Sequence, residues 1–167
     1  MCMRSIVLIA HNLRSCHNVG SLLRTAEGLG IDEVILSGYT PFPAVPNDIR
    51  LPHIAAKVAR QIQKTALGAE HTMRWSHAYT ALEPISRLQK AGYQIAAIEQ
   101  HPSSHKLPEY LPPDKIVLLV GREVEGIEPE VLALTDRVLE IPMYGQKESF
   151  NVVQAAAMAM YHCRFAA

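Results

Sequence analysis

The chain has 167 residues, of which 49% are hydrophobic and 19% are charged, and its 16 lysines and arginines balance its 16 acidic residues. This composition excludes a disordered or fibrous chain and predicts one globular domain over residues 1–167. Because the net charge is zero, no global field favours a polyanionic partner, and any contact with nucleic acid must come from a local surface.

Short apolar runs alternate along the chain with segments of helical spacing. The predicted strands are 5–10, 32–38, 93–100, 115–121 and 136–143, and the predicted helices are 20–30, 53–67, 81–92, 128–134 and 150–164. Gly30, Gly68 and Gly92 are predicted to end the first three helices. Strands that alternate with helices form a parallel sheet covered on both faces, so the sequence predicts an α/β fold.

In such folds ligands bind beyond the carboxyl ends of the strands, so the segments that follow strands are the candidates for function. The segment 38–52 holds four of the 11 prolines and is the longest predicted loop.

The segment 11–30, HNLRSCHNVGSLLRTAEGLG, follows the first strand. Asn18 can cap a helix that has Gly20 in its first turn, and Arg24 would lie one turn later on the same face, above a glycine gap. The helix dipole opposes a cation near a helix N-terminus, so Arg24 is a weak pointer to function. Alternatively, Arg24 is a solvated surface residue or pairs with Glu27.

The segment 118–130, LLVGREVEGIEPE, follows the fourth predicted strand. Gly121 is expected to end the strand, Glu123 to project from the turn and Gly126 to adopt a left-handed conformation or allow close backbone approach. Pro129 suits the first turn of a helix. A turn that simply needs two glycines is the alternative interpretation.

The segment 141–162 passes from a strand through a glycine-containing loop into an almost uncharged helix. A cap by Asn151, with Gln154 reaching back, accounts for Asn151 but not for Gly145 or Ser149. The helix is apolar nearly all round, so it must be covered on more than one side. We therefore expect a homodimer through the helix at 150–164, with a buried core helix as the alternative.

Three sequence patterns are far more specific in combination than singly. They are N-x-G-x-x-x-R-T-A at 18–26, L-V-G-x-E-x-x-G-I at 119–127 and I-P-M-x-G-x-x-x-S-F-N-V at 141–152. They closely resemble the signature motifs of the SpoU/TrmH family of the SPOUT superfamily, whose members are S-adenosylmethionine-dependent RNA ribose 2′-O-methyltransferases. The resemblance covers the whole chain. Phe150 stands where the family commonly has leucine, and the chain is little more than the catalytic core of larger members.

The resemblance implies a trefoil knot near the C-terminus whose loops hold S-adenosylmethionine. It also implies a homodimer whose active site draws on both subunits. It assigns the central catalytic role to Arg24, with Asn18, Glu123, Ser149 and Asn151 around it. Because an arginine pKa stays above about 12, Arg24 is expected either to clamp an RNA phosphate or to accept a proton with help from that phosphate and a carboxylate such as Glu123.

S-Adenosylmethionine has no phosphates, so a GxGxxG fingerprint or Walker loop is not expected. Its adenine needs an apolar slot edged by backbone hydrogen-bonding groups. The expected cofactor contacts are the apolar walls Ile98, Leu119, Ile141 and Met143, the glycines Gly121 and Gly145, and the hydroxyl of Ser149. Two rival functions remain: a non-catalytic RNA-binding or assembly module of the same fold, and a Rossmann-type nucleotide-binding enzyme.

A basic stripe on the second predicted helix is the local candidate for RNA contact. Lys57, Arg60 and Lys64 recur at helical spacing with His53, and Arg50 lies in the proline-rich loop beside them. These charges either meet phosphates or form a solvated face. The small size of the chain favours transfer RNA as the substrate, and ribosomal RNA stays open.

Location, membrane contact and metal binding are predicted from the remaining segments. Neither apolar end reaches the roughly 18 residues of a spanning helix, and the start lacks a signal peptide, so we expect a cytoplasmic protein with no membrane contact. Cys2, Cys16 and Cys163 are odd in number and far apart, which favours reduced, inert thiols. The segment HPSSH at 101–105 is predicted to be a loop, so no metal site is expected.

Overall fold

The predicted alternation of strands and helices is present in a computed structural model that describes residues 3–166. The strands are β1 (Ser5–His11), β2 (Glu33–Ser37), β3 (Trp75–Ala78), β4 (Gln94–Ile98), β5 (His105–Lys106), β6 (Lys115–Val120) and β7 (Arg137–Glu140). The helices are α1 (Cys16–Gly28), α2 (Pro52–Ala66), α3 (Ala69–Thr72), α4 (Leu82–Lys90), α5 (Pro129–Leu132) and α6 (Val152–Phe165). The strands form one sheet in the order β3-β2-β1-β6-β4-β7-β5, and each neighbouring pair is parallel.

This sheet confirms the predicted α/β class, and the five predicted strands all form. Two further strands, β3 and β5, were not predicted. Both are edge strands: β3 has four half-buried residues and β5 has two exposed residues. A short edge strand is not enclosed on both faces, so it lacks the apolar run that reveals a central strand.

Side chains of the central strands alternate between two apolar cores. Ile6 and Leu8 of β1 belong to the core that α1, α2 and α6 cover, whereas Val7 and Ile9 belong to the core that α4 and α5 cover. All four are buried. The predicted covering of both faces is therefore confirmed.

The N-terminus of α1 differs from the prediction. Ser15 caps the helix in an extended conformation, and its hydroxyl accepts a hydrogen bond from the Asn18 amide nitrogen at 3.2 Å. Asn18 is therefore the third helical residue, and the predicted Asn18 cap is wrong, because Ser15 already supplies the capping oxygen. A Cβ on Gly20 would lie 2.2 Å from the Ile62 carbonyl oxygen, so α2 fills the predicted gap beneath Arg24.

The parallel arrangement places every strand's carboxyl end at one edge of the sheet. The connections that start there are 12–15 after β1, 38–51 after β2, 99–104 after β4, 121–128 after β6 and 141–151 after β7. The proline-rich connection 38–51 contains neither helix nor strand, as predicted. The segments that carry the three sequence patterns thus meet at this edge.

Candidate functional site

A cavity of about 170 Å³ lies at the carboxyl edge of the sheet. Its wall combines the end of β4, the connection after β6, and the segment from the end of β7 into the first turn of α6. Predicted site residues that line it are Ile98, Gly121, Glu123, Ile141 and Ser149. Members of two of the three sequence patterns therefore share one cavity.

Three of the predicted cofactor contacts do not line this cavity. Leu119 is fully buried in the core beneath α4 and α5, because strand side chains alternate, and its neighbour Val120 faces the cavity instead. Met143 is half-buried outside the lining, and Gly145 is exposed. A Cβ on Gly145 would meet no atom within 4 Å.

Several lining residues were not predicted from the sequence. They include Val120 of β6, Phe150 of the connecting segment, and Val152 and Ala155 of α6. The alternation along β6 could have identified Val120. Val152 and Ala155 lie three residues apart just after the Asn151 cap. Helical periodicity could therefore have placed both on one face of α6.

Both predicted glycine features of the turn after β6 are present. Arg122 and Gly126 exchange backbone hydrogen bonds of 3.2 Å, and Gly126 has a φ of 72°. A Cβ on Gly121 would lie 2.6 Å from Ile127 Cγ1 and 2.8 Å from the Gly126 carbonyl carbon. The Glu99 carboxylate accepts a hydrogen bond from the Ile127 amide at 3.1 Å. Gly121 therefore serves close backbone packing within the turn itself.

Glu123 is held at the cavity by two groups from the segment after β1. The Asn18 side-chain amide donates to Glu123 Oε1 at 3.0 Å, and the Arg14 backbone amide donates to Oε2 at 3.4 Å. Asn18 thus orients the carboxylate from within α1 instead of capping that helix.

The connection before α6 is tied across the cavity. The Gln100 side-chain amide donates to the Glu148 carbonyl oxygen at 2.7 Å, next to Ser149. Asn151 caps α6, as predicted, by accepting a hydrogen bond from the Val153 amide at 2.9 Å. The structure therefore brings Asn18, Glu123 and Ser149 around one cavity, with Asn151 just beyond.

Arg24 stands apart from that group. It is exposed on α1, and within residues 3–166 its side chain makes no hydrogen bond or ion pair. The alternative pairing with Glu27 is therefore absent from the described part of the chain. A role for Arg24 at its own chain's cavity has no supporting contact.

A buried polar network beside the cavity was also not predicted from the sequence. The Asn12 side-chain amide donates to Glu128 Oε1 at 2.6 Å, and Arg122 Nη2 lies 3.4 Å from the same oxygen. His11 Nε2 lies 3.4 Å from Glu128 Oε2, while His11 Nδ1 and Ser37 Oγ are 2.9 Å apart. These contacts anchor the turn after β6 to the end of β1.

Burial and charge oppose each other in this network. Burial lowers the pKa of His11, and the Glu128 carboxylate offsets part of that change. Partial burial raises the pKa of Glu128, but its own backbone amide, Asn12, His11 and Arg122 outweigh burial, and the pKa falls. The network therefore keeps Glu128 anionic beside Arg122.

The predicted basic stripe is exposed, with one exception. His53, Lys57, Arg60 and Lys64 are all exposed on α2. Arg50 is not available to phosphate, because its Nη2 lies 2.5 Å from Asp48 Oδ2 and its guanidinium carbon lies 3.7 Å from the Phe42 ring centre. The Arg50 hydrogen bond lowers the pKa of Asp48 well below its usual range. The prediction that Arg50 joins the stripe in contacting phosphate is therefore wrong.

The remaining predictions concern thiols, metals and membranes. Cys16 is half-buried and Cys163 is buried, and desolvation raises both thiol pKa values, that of Cys163 to about 12; Cys2 lies outside the described residues. Across residues 3–166, no cluster of three or more ligating side chains suits a metal ion. No helix in that range has the length and apolar character needed to cross a membrane.

Known RNA methyltransferases have similar sequences. The chain is 25% identical over 166 residues to a tRNA (guanosine(18)-2′-O)-methyltransferase of Aquifex aeolicus, covering 96% of this chain and 69% of that protein. It is 28% identical over 160 residues to the 23S rRNA (guanosine(2553)-2′-O)-methyltransferase of Bacillus subtilis, covering 95% and 57%. The chain thus spans between about half and two thirds of the length of most of the relatives it matches.

Solved structures show the same fold. An AdoMet-bound rRNA methyltransferase from Sinorhizobium meliloti matches with a TM-score of 0.78 at 21% identity, covering 98% of this chain and 57% of that one. A structure described as giving insights into the 2-OH methylation of C/U34 on tRNA matches with a TM-score of 0.73 at 22% identity, covering 96% and 94%. The SpoU rRNA Methylase family matches residues 5–161, which include all three sequence patterns and every residue lining the cavity, and this chain belongs to that family.

Proposed function

We propose that this protein transfers a methyl group from S-adenosylmethionine to a ribose 2′-hydroxyl of RNA. The observation that carries the proposal is the cavity where Gly121 and Glu123 of one sequence pattern meet Ile141 and Ser149 of another. Asn18, from the pattern at 18–26, donates a hydrogen bond of 3.0 Å to the Glu123 carboxylate. The names of the two sequence relatives support the same reaction class.

The lining suits the proposed cofactor. Ile98, Val120, Ile141 and Val152 offer an apolar slot for an adenine ring, and Ser149 adds a hydroxyl. When bound, S-adenosylmethionine supplies a methyl carbon that is activated by its positive sulfur. The chain's task is then to place a ribose hydroxyl in line and to manage its proton.

Glu123 and Arg24 are the residues proposed for that task. Glu123 is a fixed carboxylate that can accept a hydrogen bond from the 2′-hydroxyl. Arg24 either clamps the phosphate next to the target ribose or accepts the proton with help from that phosphate. Ser149 and Asn151 complete the set by shaping the segment over the cavity.

Arg24 is proposed to reach the cavity of a second copy of the chain. The exposed face of α6 carries Tyr161 and Phe165, each 61% exposed, with ring centres 4.8 Å apart. Apolar rings presented to water on a helix whose only lysine, arginine or acidic residue is Arg164 favour a homodimer through 150–164. Such a dimer would supply the guanidinium that the single chain does not bring to its own cavity. The trefoil knot implied by the family stays a prediction.

Transfer RNA is the proposed substrate class, ahead of ribosomal RNA. The structure described in terms of methylation of C/U34 on tRNA covers 96% of this chain and is itself covered to 94%, so the two chains correspond almost end to end. The relatives include enzymes named for each RNA class, so both belong in the test. Action on transfer RNA would place the protein in the cytoplasm.

Calorimetric titration separates this proposal from its rivals. The purified protein is titrated with S-adenosylmethionine, NAD and ATP, and methyl-labelled cofactor is then incubated with transfer and ribosomal RNA. We expect binding of S-adenosylmethionine alone and label in RNA. Binding of NAD or ATP instead would overturn the cofactor assignment, and cofactor binding without transfer to either RNA would favour a non-catalytic module.

A further inference from the structure

Two exposed tyrosines follow neighbouring strands at the carboxyl edge of the sheet. Tyr39 follows β2 and is 52% exposed, and Tyr79 follows β3 and is 77% exposed. The Gly38 amide donates to the Ala78 carbonyl oxygen at 2.9 Å, so the two tyrosines come directly after hydrogen-bonded neighbours. Neither residue belongs to the three sequence patterns.

Tyr79 rests on a packed aromatic support. The His77 ring lies 5.4 Å from the Tyr79 ring in an edge-to-face arrangement, and 4.0 Å from the Phe42 ring on its other side. Arg50 covers Phe42 in turn, with its guanidinium carbon 3.7 Å from the ring centre. The Tyr79 ring is thus presented to solvent from a fixed position, which lowers the entropy lost when a partner packs on it.

Tyr39 connects this support to the proposed catalytic residues. Its backbone amide donates to Asn12 Oδ1 at 3.1 Å, and two residues after Asn12 the Arg14 backbone amide donates to Glu123 at 3.4 Å. Tyr79 follows β3 and Glu123 follows β6. In the strand order β3-β2-β1-β6 these two strands are three spacings apart, about 14 Å.

We propose that Tyr39 and Tyr79 form a stacking platform for bases of a single-stranded RNA segment next to the target nucleotide. The inference rests on the proposed RNA methyltransferase function and adds the surface that receives the flanking bases. Unpaired bases stack on exposed aromatic rings with little dependence on sequence. The Arg14 guanidinium lies 3.2 Å from the Glu125 carboxylate, so the platform is proposed to act through its rings and not through a charge.

The position of the platform favours RNA over a protein partner. Tyr39 is hydrogen-bonded to Asn12, and Asn12 donates to Glu128 at 2.6 Å beside the cavity, so the platform adjoins a site proposed to act on a ribose. Arg50 is paired with Asp48, so its role in the platform is to support the rings and not to contact phosphate.

The test compares four variants by filter binding to unmodified transfer RNA and, in a second arm, to ribosomal RNA. Tyr39→Ala and Tyr79→Ala remove a ring, Tyr79→Phe keeps the ring without its hydroxyl, and Leu82→Ala removes a half-exposed apolar side chain from α4 as a control. Thermal melting and titration with S-adenosylmethionine accompany each variant. The alanine variants are expected to weaken RNA binding by roughly 5- to 150-fold each and to leave cofactor affinity unchanged.

The conservative variant distinguishes stacking from mere exposure. Tyr79→Phe should restore most of the affinity that Tyr79→Ala loses, because the aromatic face is retained. Equal RNA affinity for Tyr79→Ala, Tyr39→Ala and the Leu82→Ala control would overturn the platform even if the wild-type protein methylates RNA. Failure of the wild-type protein to methylate RNA, with the alanine variants still weakening binding, would instead overturn the enzyme assignment and keep the platform.

Discussion

Gly121 and Gly145 belong to two sequence patterns, but the structure gives them different surroundings. A Cβ on Gly121 would clash with Ile127 and with backbone of Gly126, whereas a Cβ on Gly145 would meet nothing within 4 Å. Packing within the chain therefore explains Gly121 and leaves Gly145 unexplained. A bound cofactor that approaches the main chain would explain it.

Alanine substitution at each glycine separates these roles. Gly121→Ala should lower the free energy of unfolding by about 1–3 kcal/mol, because the turn must move to admit the methyl group. Gly145→Ala should leave unfolding within about 0.5 kcal/mol of the wild type but weaken binding of S-adenosylmethionine. Denaturant titration and calorimetry measure the two quantities. Unchanged cofactor affinity in Gly145→Ala would remove Gly145 from the cofactor site.

Arg24→Lys tests the guanidinium at the proposed catalytic position. Lysine keeps the charge but loses the planar fork, so kcat should fall on the order of 100-fold while cofactor affinity is kept. Arg87→Lys, on an exposed helical position paired with Glu83, is the matched control. Near-normal turnover by Arg24→Lys would rule out every role that depends on two-point phosphate contact.

The residue-scale predictions from sequence succeeded where a local pattern fixes the geometry. Asn151 caps α6 and Gly126 is left-handed, as predicted. Asn18 was misassigned because Ser15, three residues earlier, is an equally good cap, and propensity alone does not choose between them. The core that Leu119 faces was not predicted, because a fully apolar strand does not reveal which side chains face which core.

At the scale of elements, α6 has one buried side and one exposed side. Ala156, Ala159 and Met160 are fully buried, whereas Tyr161 and Phe165 are each 61% exposed. The buried side confirms the core-helix interpretation, and the homodimer through the exposed side stays a prediction.

The double variant Tyr161→Glu with Phe165→Glu should dissociate the proposed homodimer. Charges in an apolar contact lose their hydration without a partner, so sedimentation should report a monomer. Leu82→Glu, at a half-exposed position on α4, is the control. A wild-type protein that sediments as a monomer would contradict the proposed dimer outright.

Mixed dimers test whether the active site is shared. Arg24→Lys and Glu123→Ala subunits are each expected to be inactive alone. Co-expressed in one cell, they should recover part of the activity, because a mixed dimer rebuilds one site from the two intact residues. No recovery would place Arg24 and Glu123 in the same subunit's site.

The α2 stripe gives a separate prediction about RNA affinity. Lys57→Glu with Arg60→Glu should weaken RNA binding and lower its salt dependence by about 0.7 in log–log slope for each phosphate that the protein no longer neutralises. The matched control is Arg87→Glu with Lys90→Glu on α4, which covers the other face of the sheet. If both pairs of substitutions change RNA affinity and its salt dependence equally, the α2 stripe is an ordinary solvated surface.

On the scale of the whole molecule, the half-buried Tyr110 hydroxyl and the buried Cys163 thiol make folding stability depend on alkaline pH. Burial raises the pKa of Tyr110 from 10 to about 12 and that of Cys163 from 9 to about 12. Both folded-state pKa values exceed the unfolded ones, so the stability they contribute is complete below pH 9 and is lost as pH rises toward 12.

Cys163→Ala tests this coupling through a slope. Between pH 9 and 12, the wild type should lose folding free energy more steeply than the variant, by up to about 1.4 kcal/mol per pH unit for the one missing proton. Denaturant titrations at several pH values provide the measurement. Parallel slopes would show that Cys163 ionises equally easily in the folded and unfolded states.

The fold class was accessible from sequence because the central strands are apolar and helical spacing separates most of them. The order of strands was not, because β6 lies between β1 and β4, although it comes later in the chain. The shared cavity also depends on that order, which brings the connections after β4 and β6 together. The trefoil knot, supplied by family resemblance alone, stays a prediction.

The reaction itself is tested most directly by nucleoside mass spectrometry. Unmodified transfer RNA and ribosomal RNA are incubated separately with the purified protein and S-adenosylmethionine, then digested to nucleosides. We expect a new 2′-O-methylnucleoside in the transfer RNA fraction. A methyl group on a base, or no new methylnucleoside in either fraction despite bound cofactor, would contradict ribose methylation as the function of this chain.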